Sequence, residues 1–480
     1  MTAPEDHSFD LLPDDFRRLG YKVIDLMVDA LEAERNEPVL RQISGAHMRA
    51  MVDEPLPVAE TPADDVIATW QTAVAPFARR NGHPRFFGYV CTSADPLGML
   101  ADAMASAINQ PVTAWRSAPS ATAIERLVVR WLDELVGFGG KGNGLLVSGG
   151  SAANFHGLAC AVTMAEQRAG LPPGSRHRLT AYISQEGHMS MYKALQLLGL
   201  SPDHVRVIGV DEQRRMPLDK LQRILEEDRG SELVPAVVCA SAGTANTGAI
   251  DPLLGVSDAC KDHDVWLHID GSYGAPAAIT EEYEWMAKAF AHADSLSLDP
   301  HKWLFASADA GCVLVRDDEA ARRTFTLHSD YTAVTQTDPV ERYAFFDHGL
   351  EMSRRFRGLK VWTILKARGV DRIRAAIQHN IALRKHLDAR IREEQRLQAL
   401  GSELSITCFR YVPRGETSED RLNAINRTIL ETLIAEGRCY MSPTVLDGKY
   451  ALRACIVNFR TQQSDVDFLA DEVMRLGTAL

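Results

Sequence analysis

One lysine lies between a histidine and a tryptophan in Asp299-Pro300-His301-Lys302-Trp303. A buried lysine amine can condense with an aldehyde to give a Schiff base. Thirty-two residues upstream, the apolar run Val265-Trp266-Leu267-His268-Ile269 ends on Asp270. A carboxylate delivered by a buried strand can keep the nitrogen of a pyridine ring protonated. Each residue taken singly has a plainer reading. Most lysines are surface cations, and aspartates at strand ends commonly cap turns.

A third element adds an anion site. Gly144-Leu145-Leu146-Val147 runs into Ser148-Gly149-Gly150-Ser151-Ala152-Ala153-Asn154 and then a helical stretch over 155–166. A strand, a Gly/Ser loop and a helix N-terminus bring free backbone N–H groups and the positive dipole end to one point, which suits a phosphate. The loop is neither the dinucleotide G-x-G-x-x-G nor a Walker loop, and by itself reads as an ordinary serine-capped turn. His188 and Thr244 each follow an apolar run, where one could stack on a ring and the other hydrogen-bond beside it. Phosphate anchor, ring partner and amine together are the needs of pyridoxal 5'-phosphate.

These residues require a scaffold that collects strand ends. Apolar runs at 144–147, 179–184, 205–208, 236–241, 265–270, 295–298 and 311–316, most followed by amphipathic stretches, predict an α/β fold with a mostly parallel seven-stranded sheet. Ligands of such sheets bind at the carboxyl ends of the strands. Three units are expected: an N-terminal helical arm over 1–80, a large domain over 81–365 and a small α+β domain over 366–480. In the arm, apolar residues at 16, 19, 23, 26 and 30 make one helical stripe, and an arm this small needs a partner surface. Strands are expected at 405–411 and 450–457, and Ser464 with Asp467 resembles a capping box for a final helix.

The 480 residues carry 64 acids against 52 bases, a net charge of −12, which argues against nucleic acid or an anionic membrane as partner. Eight scattered cysteines without a C-x-x-C pair read as buried thiols, with neither disulfides nor a metal site. The acidic first residues lack a secretory pattern and no apolar run reaches membrane-spanning length, so a cytoplasmic protein is expected.

The motifs resemble the group II pyridoxal-phosphate decarboxylases, the family of aromatic-L-amino-acid, glutamate and histidine decarboxylases. The resemblance rests on His83-Pro84-Arg85-Phe86-Phe87-Gly88-Tyr89, the Ser148–Asn154 loop, His268-Ile269-Asp270, Pro300-His301-Lys302-Trp303 and Arg354-Arg355-Phe356-Arg357. It implies the fold-type-I, aspartate-aminotransferase-like architecture, and a homodimer with the arm on the partner subunit and active sites at the interface. It also implies decarboxylation of an L-amino acid, aromatic being the favoured class, to the amine and carbon dioxide. By resemblance Lys302 is the Schiff-base lysine, Asp270 the pyridine-nitrogen partner and His188 the stacking residue. Gly150, Ser151 and Ala152 match the phosphate loop, Thr244, Asp299 and His301 fall beside the cofactor, and Tyr89, Thr92 and Trp115 fall in the substrate pocket.

In the aromatic decarboxylases a loop before Arg-Arg-Phe-Arg carries a tyrosine that protonates the substrate carbon. Counting back from Arg354 reaches Phe345, which has no proton to give. Plant relatives with phenylalanine there are aldehyde synthases, so oxidative deamination stands as the alternative reaction. Tyr343 is the expected substitute donor, with Tyr331 further upstream. Asp299 stands where animal aromatic decarboxylases have asparagine.

Overall fold

The computed structural model describes residues 9–172, 174–327 and 337–480. Twelve strands occur among them: β1 Phe86–Phe87, β2 Gly144–Val147, β3 Leu179–Ser184, β4 Val205–Ile208, β5 Val234–Ser241 and β6 Trp266–Asp270. These are followed by β7 Ser295–Leu298, β8 Gly311–Val315, β9 Leu397–Glu403, β10 Ile406–Tyr411, β11 Tyr440–Leu446 and β12 Lys449–Cys455. The seven expected apolar runs form one sheet in the order β2-β8-β7-β6-β5-β3-β4. β8 is antiparallel to both its neighbours, whereas the pairings from β7 to β4 are parallel.

Both faces of this sheet are covered, which is why its strands read as continuous apolar runs. Successive side chains alternate between two cores. Leu267 and Ile269 of β6 join the core that includes Val128, Leu132 and Phe290. Val237 and Cys239 of β5 point the other way, into the core shared with Leu158 and Val162 of the Gly150–Arg168 helix. His268 and Asp270, one residue out of phase with Leu267 and Ile269, therefore face that helix.

The second sheet has the order β1-β11-β12-β10-β9. Its core of Phe87, Phe409, Leu430, Leu452 and Leu469 lies under the Glu419–Glu436 and Gln463–Ala479 helices. β1 pairs in parallel with β11, Phe86 opposite Tyr440. Residues 86 and 87 thus belong to the small sheet although the chain around them precedes the large one. The expected boundary at 365/366 falls within the Gly358–Glu393 helical run, close to Gly369, where φ is +72° and the helix breaks.

β9 and β11 were not anticipated. β11 carries Pro443, which argues against a strand by type, and β9 is a partly exposed edge with weak alternation. The last helix starts earlier than the expected Ser464/Asp467 cap. Asp465 accepts from the Gln462 N–H at 3.0 Å, and Asp467 is instead paired with His386 at 2.7 Å.

The stripe predicted on the arm lies on the Pro13–Ala33 helix, but Leu19 is its one buried residue within the described chain. Phe9, Leu12, Phe16, Tyr21 and Val28 are exposed. All eight cysteines are free thiols, seven of them buried. No helix among the described residues is long and apolar enough to cross a membrane.

Candidate active site

The carboxyl ends of β5, β6 and β7 and the loop after β2 converge on a cavity of about 1150 Å³. Gly150, Ser151, Ala152, His188, Thr244 and Asp270 line it, together with Asp299, His301 and Lys302. Tyr89 and Thr92 form part of a second wall, which is tied to the small sheet. The Tyr89 N–H donates to Ser442 Oγ of β11 at 3.0 Å, and its carbonyl accepts from Arg453 of β12 at 3.0 Å. These bonds hold Tyr89 at φ +53°, a left-handed conformation uncommon for a residue with a Cβ. Its ring lies under Arg79, 4.8 Å away, and its hydroxyl is 3.3 Å from that of Tyr440.

Lys302 Nζ donates to Asp299 Oδ2 at 2.9 Å. Burial pulls the ammonium down, but Asp299 through charge and hydrogen bond, with Asp270 behind it, outweighs this and holds Lys302 above the usual lysine value. Asp299 is buried, and its Oδ1 has no hydrogen-bond partner within the described residues. His301 turns its Nδ1 to the Ala310 N–H at 3.1 Å. Burial lowers its pKa.

Asp270 Oδ1 accepts from the Ser272 N–H and from Ser297 Oγ, each at 3.1 Å, and Oδ2 accepts from Asn154 Nδ2 at 3.1 Å. Burial works to raise its pKa. The Lys302 charge and the Ser272 hydrogen bonds reverse that, and the carboxyl lies below its ordinary value. Thr244 follows β5 through Gly243, whose φ of +104° favours glycine, and its Oγ1 is 3.2 Å from that of Thr247.

The Gly150–Arg168 helix points its N-terminus at the cavity. Its first backbone bond runs from the Ala153 N–H to Gly149 O, so the N–H groups of Gly150, Ser151 and Ala152 precede the helical ladder. A Cβ on Gly150 would collide with Ser272 Oγ and lie 2.8 Å from Asp299 Oδ2. The loop's closeness to these two side chains depends on that glycine.

Two expected residues are elsewhere. Tyr343 and Trp115 are joined by a backbone bond, Trp115 N–H to Tyr343 O at 3.0 Å, and neither lines the cavity. The Tyr343 ring stacks on His348 at 4.7 Å beneath Arg126, and burial pushes its hydroxyl pKa upward. It is therefore not placed to protonate a group held at Lys302 of this chain. Phe345 is a core residue, 1% exposed, with the Arg354 guanidinium 4.1 Å over its ring. Counting along the chain placed it in a catalytic loop; tertiary packing puts it in the interior. Tyr331 lies outside the described residues.

Arg354, first of the Arg-Arg-Phe-Arg element, donates to Glu125 Oε1 and to the Leu146 carbonyl, while Glu125 Oε1 accepts the Leu146 N–H at 3.0 Å. β2 is an edge strand, and this ion pair satisfies the edge as a neighbouring strand would. Phe86 and Phe87 are core residues. Arg85 pairs with Asp465 at 3.1 Å and stacks on Phe468, so its role is in packing.

A family model, the pyridoxal-dependent decarboxylase conserved domain, matches residues 46–412. The chain belongs to that family. It is a pyridoxal-phosphate-dependent amino-acid decarboxylase, a carboxy-lyase. Aromatic-L-amino-acid decarboxylase of Bacillus atrophaeus is 35% identical to it over 95% of this chain and 94% of its own length. Phenylacetaldehyde synthase of Petunia hybrida is 27% identical, over 98% and 95%. The crystal structure of Oryza sativa TDC with PLP and tryptamine matches with a TM-score of 0.93 at 26% identity, covering 98% of this chain and 99% of that one.

The decarboxylase's own residues fit its cofactor. A phosphate is served by the free helix N-terminus and the close approach at Gly150, an aldehyde by the Lys302 amine, and a pyridinium by a carboxylate held ionised. Asp299 Oδ1, without a hydrogen-bond partner among the described residues, is an acceptor beside them.

Sequence reasoning quoted Asn154 and His268 within motifs but gave no role to them or to Ser190 and Ser295, which are buried and hydrogen-bonded behind the site. Period-two alternation on β6, pairing His268 with Asp270 on one face, was the available signal.

Proposed function

We propose that this decarboxylase removes the α-carboxylate of an aromatic L-amino acid and releases the corresponding amine. One observation carries the reading. Lys302, Asp270, His188 and the Gly150–Ala152 turn face a single cavity whose opposite wall carries Tyr89 under Arg79. Bound pyridoxal phosphate supplies an aldehyde for the substrate amine and an electron sink for the pair left by the departing carboxylate. Lys302 Nζ is the attachment point. Asp270, ionised, holds the charge on the ring nitrogen through a charge-assisted hydrogen bond. The N–H groups of Gly150, Ser151 and Ala152 would hold the phosphate, and Thr244, His301 and His188 would hold the ring. Tyr89 and Thr92 would orient the substrate side chain and, through it, the scissile bond. Lys302 Nζ and His188 are the cavity groups from which the replacing proton is drawn.

The Bacillus atrophaeus relative and the tryptamine held by the Oryza sativa protein support an aromatic substrate. The aldehyde alternative drew on Phe345, which is buried and does not line the cavity, and amine release is the favoured outcome. A cytoplasmic homodimer completes the proposal, and the exposed apolar face of the Pro13–Ala33 helix supports the dimer. The test is incubation of the holoenzyme with a panel of L-amino acids, following carbon dioxide, amine, aldehyde and peroxide. Amine and carbon dioxide in equal amounts from an aromatic substrate are expected. Stoichiometric peroxide, or turnover confined to acidic substrates, would overturn the reading.

A further inference from the structure

Behind the cavity, a chain of buried polar groups joins the two residues proposed to flank the ring. β6 and β7 pair His268 with Ser295 and Asp270 with Ser297, which places all four on the face toward the Gly150–Arg168 helix. Asn154, in the first turns of that helix, lies between them. Its Nδ2 donates to Asp270 Oδ2 at 3.1 Å and to Ser190 Oγ at 3.0 Å, and its Oδ1 is 3.0 Å from His268 Nε2. His268 Nδ1 is 2.8 Å from Ser295 Oγ, which accepts from Trp266 Nε1 at 2.8 Å. Ser190 Oγ is 2.7 Å from His188 Nδ1. Gly157 leaves room for the network, since a Cβ there would stand 2.7 Å from His268 Nδ1.

The hydrogens can be placed from either end. An ionised carboxylate only accepts, so Asn154 must turn its amide nitrogen to Asp270 and its oxygen to His268. His268 Nε2 therefore carries hydrogen. The ring is fully buried and burial lowers its pKa to about 4, so it is neutral and its Nδ1 accepts from the Ser295 hydroxyl. An indole N–H only donates, which leaves the Ser295 hydrogen free for that bond. At the other end Ser190 Oγ receives Asn154 Nδ2–H and sends its own hydrogen to His188 Nδ1. That nitrogen also accepts the Ser190 N–H at 3.2 Å. The His188 proton is thereby left on Nε2.

We propose that Asn154, oriented by His268, is the positioning residue that fixes Asp270 as an acceptor and turns His188 so that Nδ1 accepts and Nε2 carries hydrogen toward the cavity. One amide sets both cofactor-facing groups, so ring nitrogen and ring face are prepared together. The inference rests on the roles proposed above for His188 and Asp270.

Three holoenzyme variants test it: His268→Gln, which retains a donor near the Nε2 position; His268→Leu, which retains bulk without one; and Asn154→Ala. The readouts are the dissociation constant for pyridoxal phosphate, the visible spectrum of the bound cofactor, the split between kcat and KM, and histidine-selective nitrogen NMR with His188→Asn identifying the His188 signals. His268→Leu and Asn154→Ala are expected to weaken cofactor retention roughly ten- to hundredfold, as loss of a hydrogen bond to a charged group does. They should shift the bound spectrum, lower kcat more than they change KM, and mix the His188 tautomers. His268→Gln should stay within about threefold of the parent. Equal behaviour of the Gln and Leu variants, or an unchanged His188 tautomer in Asn154→Ala, would overturn the proposal. If His268→Leu does not fold, Ser190→Ala serves, because it removes the hydroxyl that joins Asn154 to His188 and leaves the Asn154–Asp270 bond in place. It should mix the tautomer and leave cofactor retention intact; an unmixed tautomer refutes the relay. Asp270→Asn keeps the premises separate. Unaltered cofactor retention in that variant discards the roles assigned to the site, whereas the tautomer judges the network.

Discussion

Replacing Arg354 by methionine separates a structural reading of the Arg-Arg-Phe-Arg element from a catalytic one. The Arg354 and Glu125 side chains are both fully buried, and between them they satisfy both backbone groups of Leu146 on the open edge of β2. Methionine fills much of the volume but leaves the Glu125 carboxylate without its counter-charge and the Leu146 carbonyl without a donor. Removing one partner of a buried pair costs about 3–5 kcal/mol. At roughly 2–4 °C per kcal/mol for a unit of this size, the melting midpoint should fall by on the order of 10 °C. The double change Glu125→Leu with Arg354→Met removes both charges and leaves the Leu146 groups and the Val112 carbonyl without these side-chain partners, at about 1–3 kcal/mol per unpaired group, so part of the loss should return. Thermal and urea unfolding of the cofactor-free protein measure both. Because β2 leads into the Gly149–Gly150 turn, weaker cofactor retention should accompany the fall. A midpoint within about 2 °C of the parent, with turnover lost, would refute the structural account and make Arg354 a substrate contact.

Lys302→Ala should eliminate the visible band of lysine-attached cofactor while far-ultraviolet circular dichroism stays unchanged; persistence of the band would sink the attachment claim. For pH, Asp270 has a depressed pKa, so the stability its charge contributes is fully present above its ordinary 3.8 and is lost as pH falls through the lower, folded value. Cofactor retention governed by Asp270 should therefore be level from roughly pH 5 to 8 and fail only in acid, which an absorbance titration records. Gly150→Ala should weaken cofactor retention at least tenfold, roughly, through its contact with Ser272 and Asp299, as read by fluorescence titration. Deleting residues 1–33 should convert the proposed dimer to monomer in sedimentation, and an unchanged mass would remove the arm from the interface.

The large sheet was legible because burial on both faces writes each strand as an uninterrupted apolar run, and the chemistry-bearing residues followed from their places at strand ends. Legibility failed where neighbours decide. β11 accommodates Pro443, and β1 is too short to carry a pattern. That Phe345 and Tyr343 lie off this chain's cavity was not legible, because counting from a motif measures distance along the chain and is blind to where the chain dives into the core. Asn154 was named as the end of the loop but given no role, because its meaning lies in His268 and Asp270, more than a hundred residues away, and only the folded sheet brings the three together.

The cavity's two walls belong to different sheets: Lys302 follows β7, whereas Tyr89 is bolted to β11 and β12. A substrate held at both is a strut between two plates. The alignment of its breaking bond is then a matter of leverage, since a small rocking of the lesser plate tilts the substrate while the cofactor's seat stays still. Mutations in β11 or β12 should accordingly alter which side chains are accepted and how fast they turn over long before they loosen the cofactor.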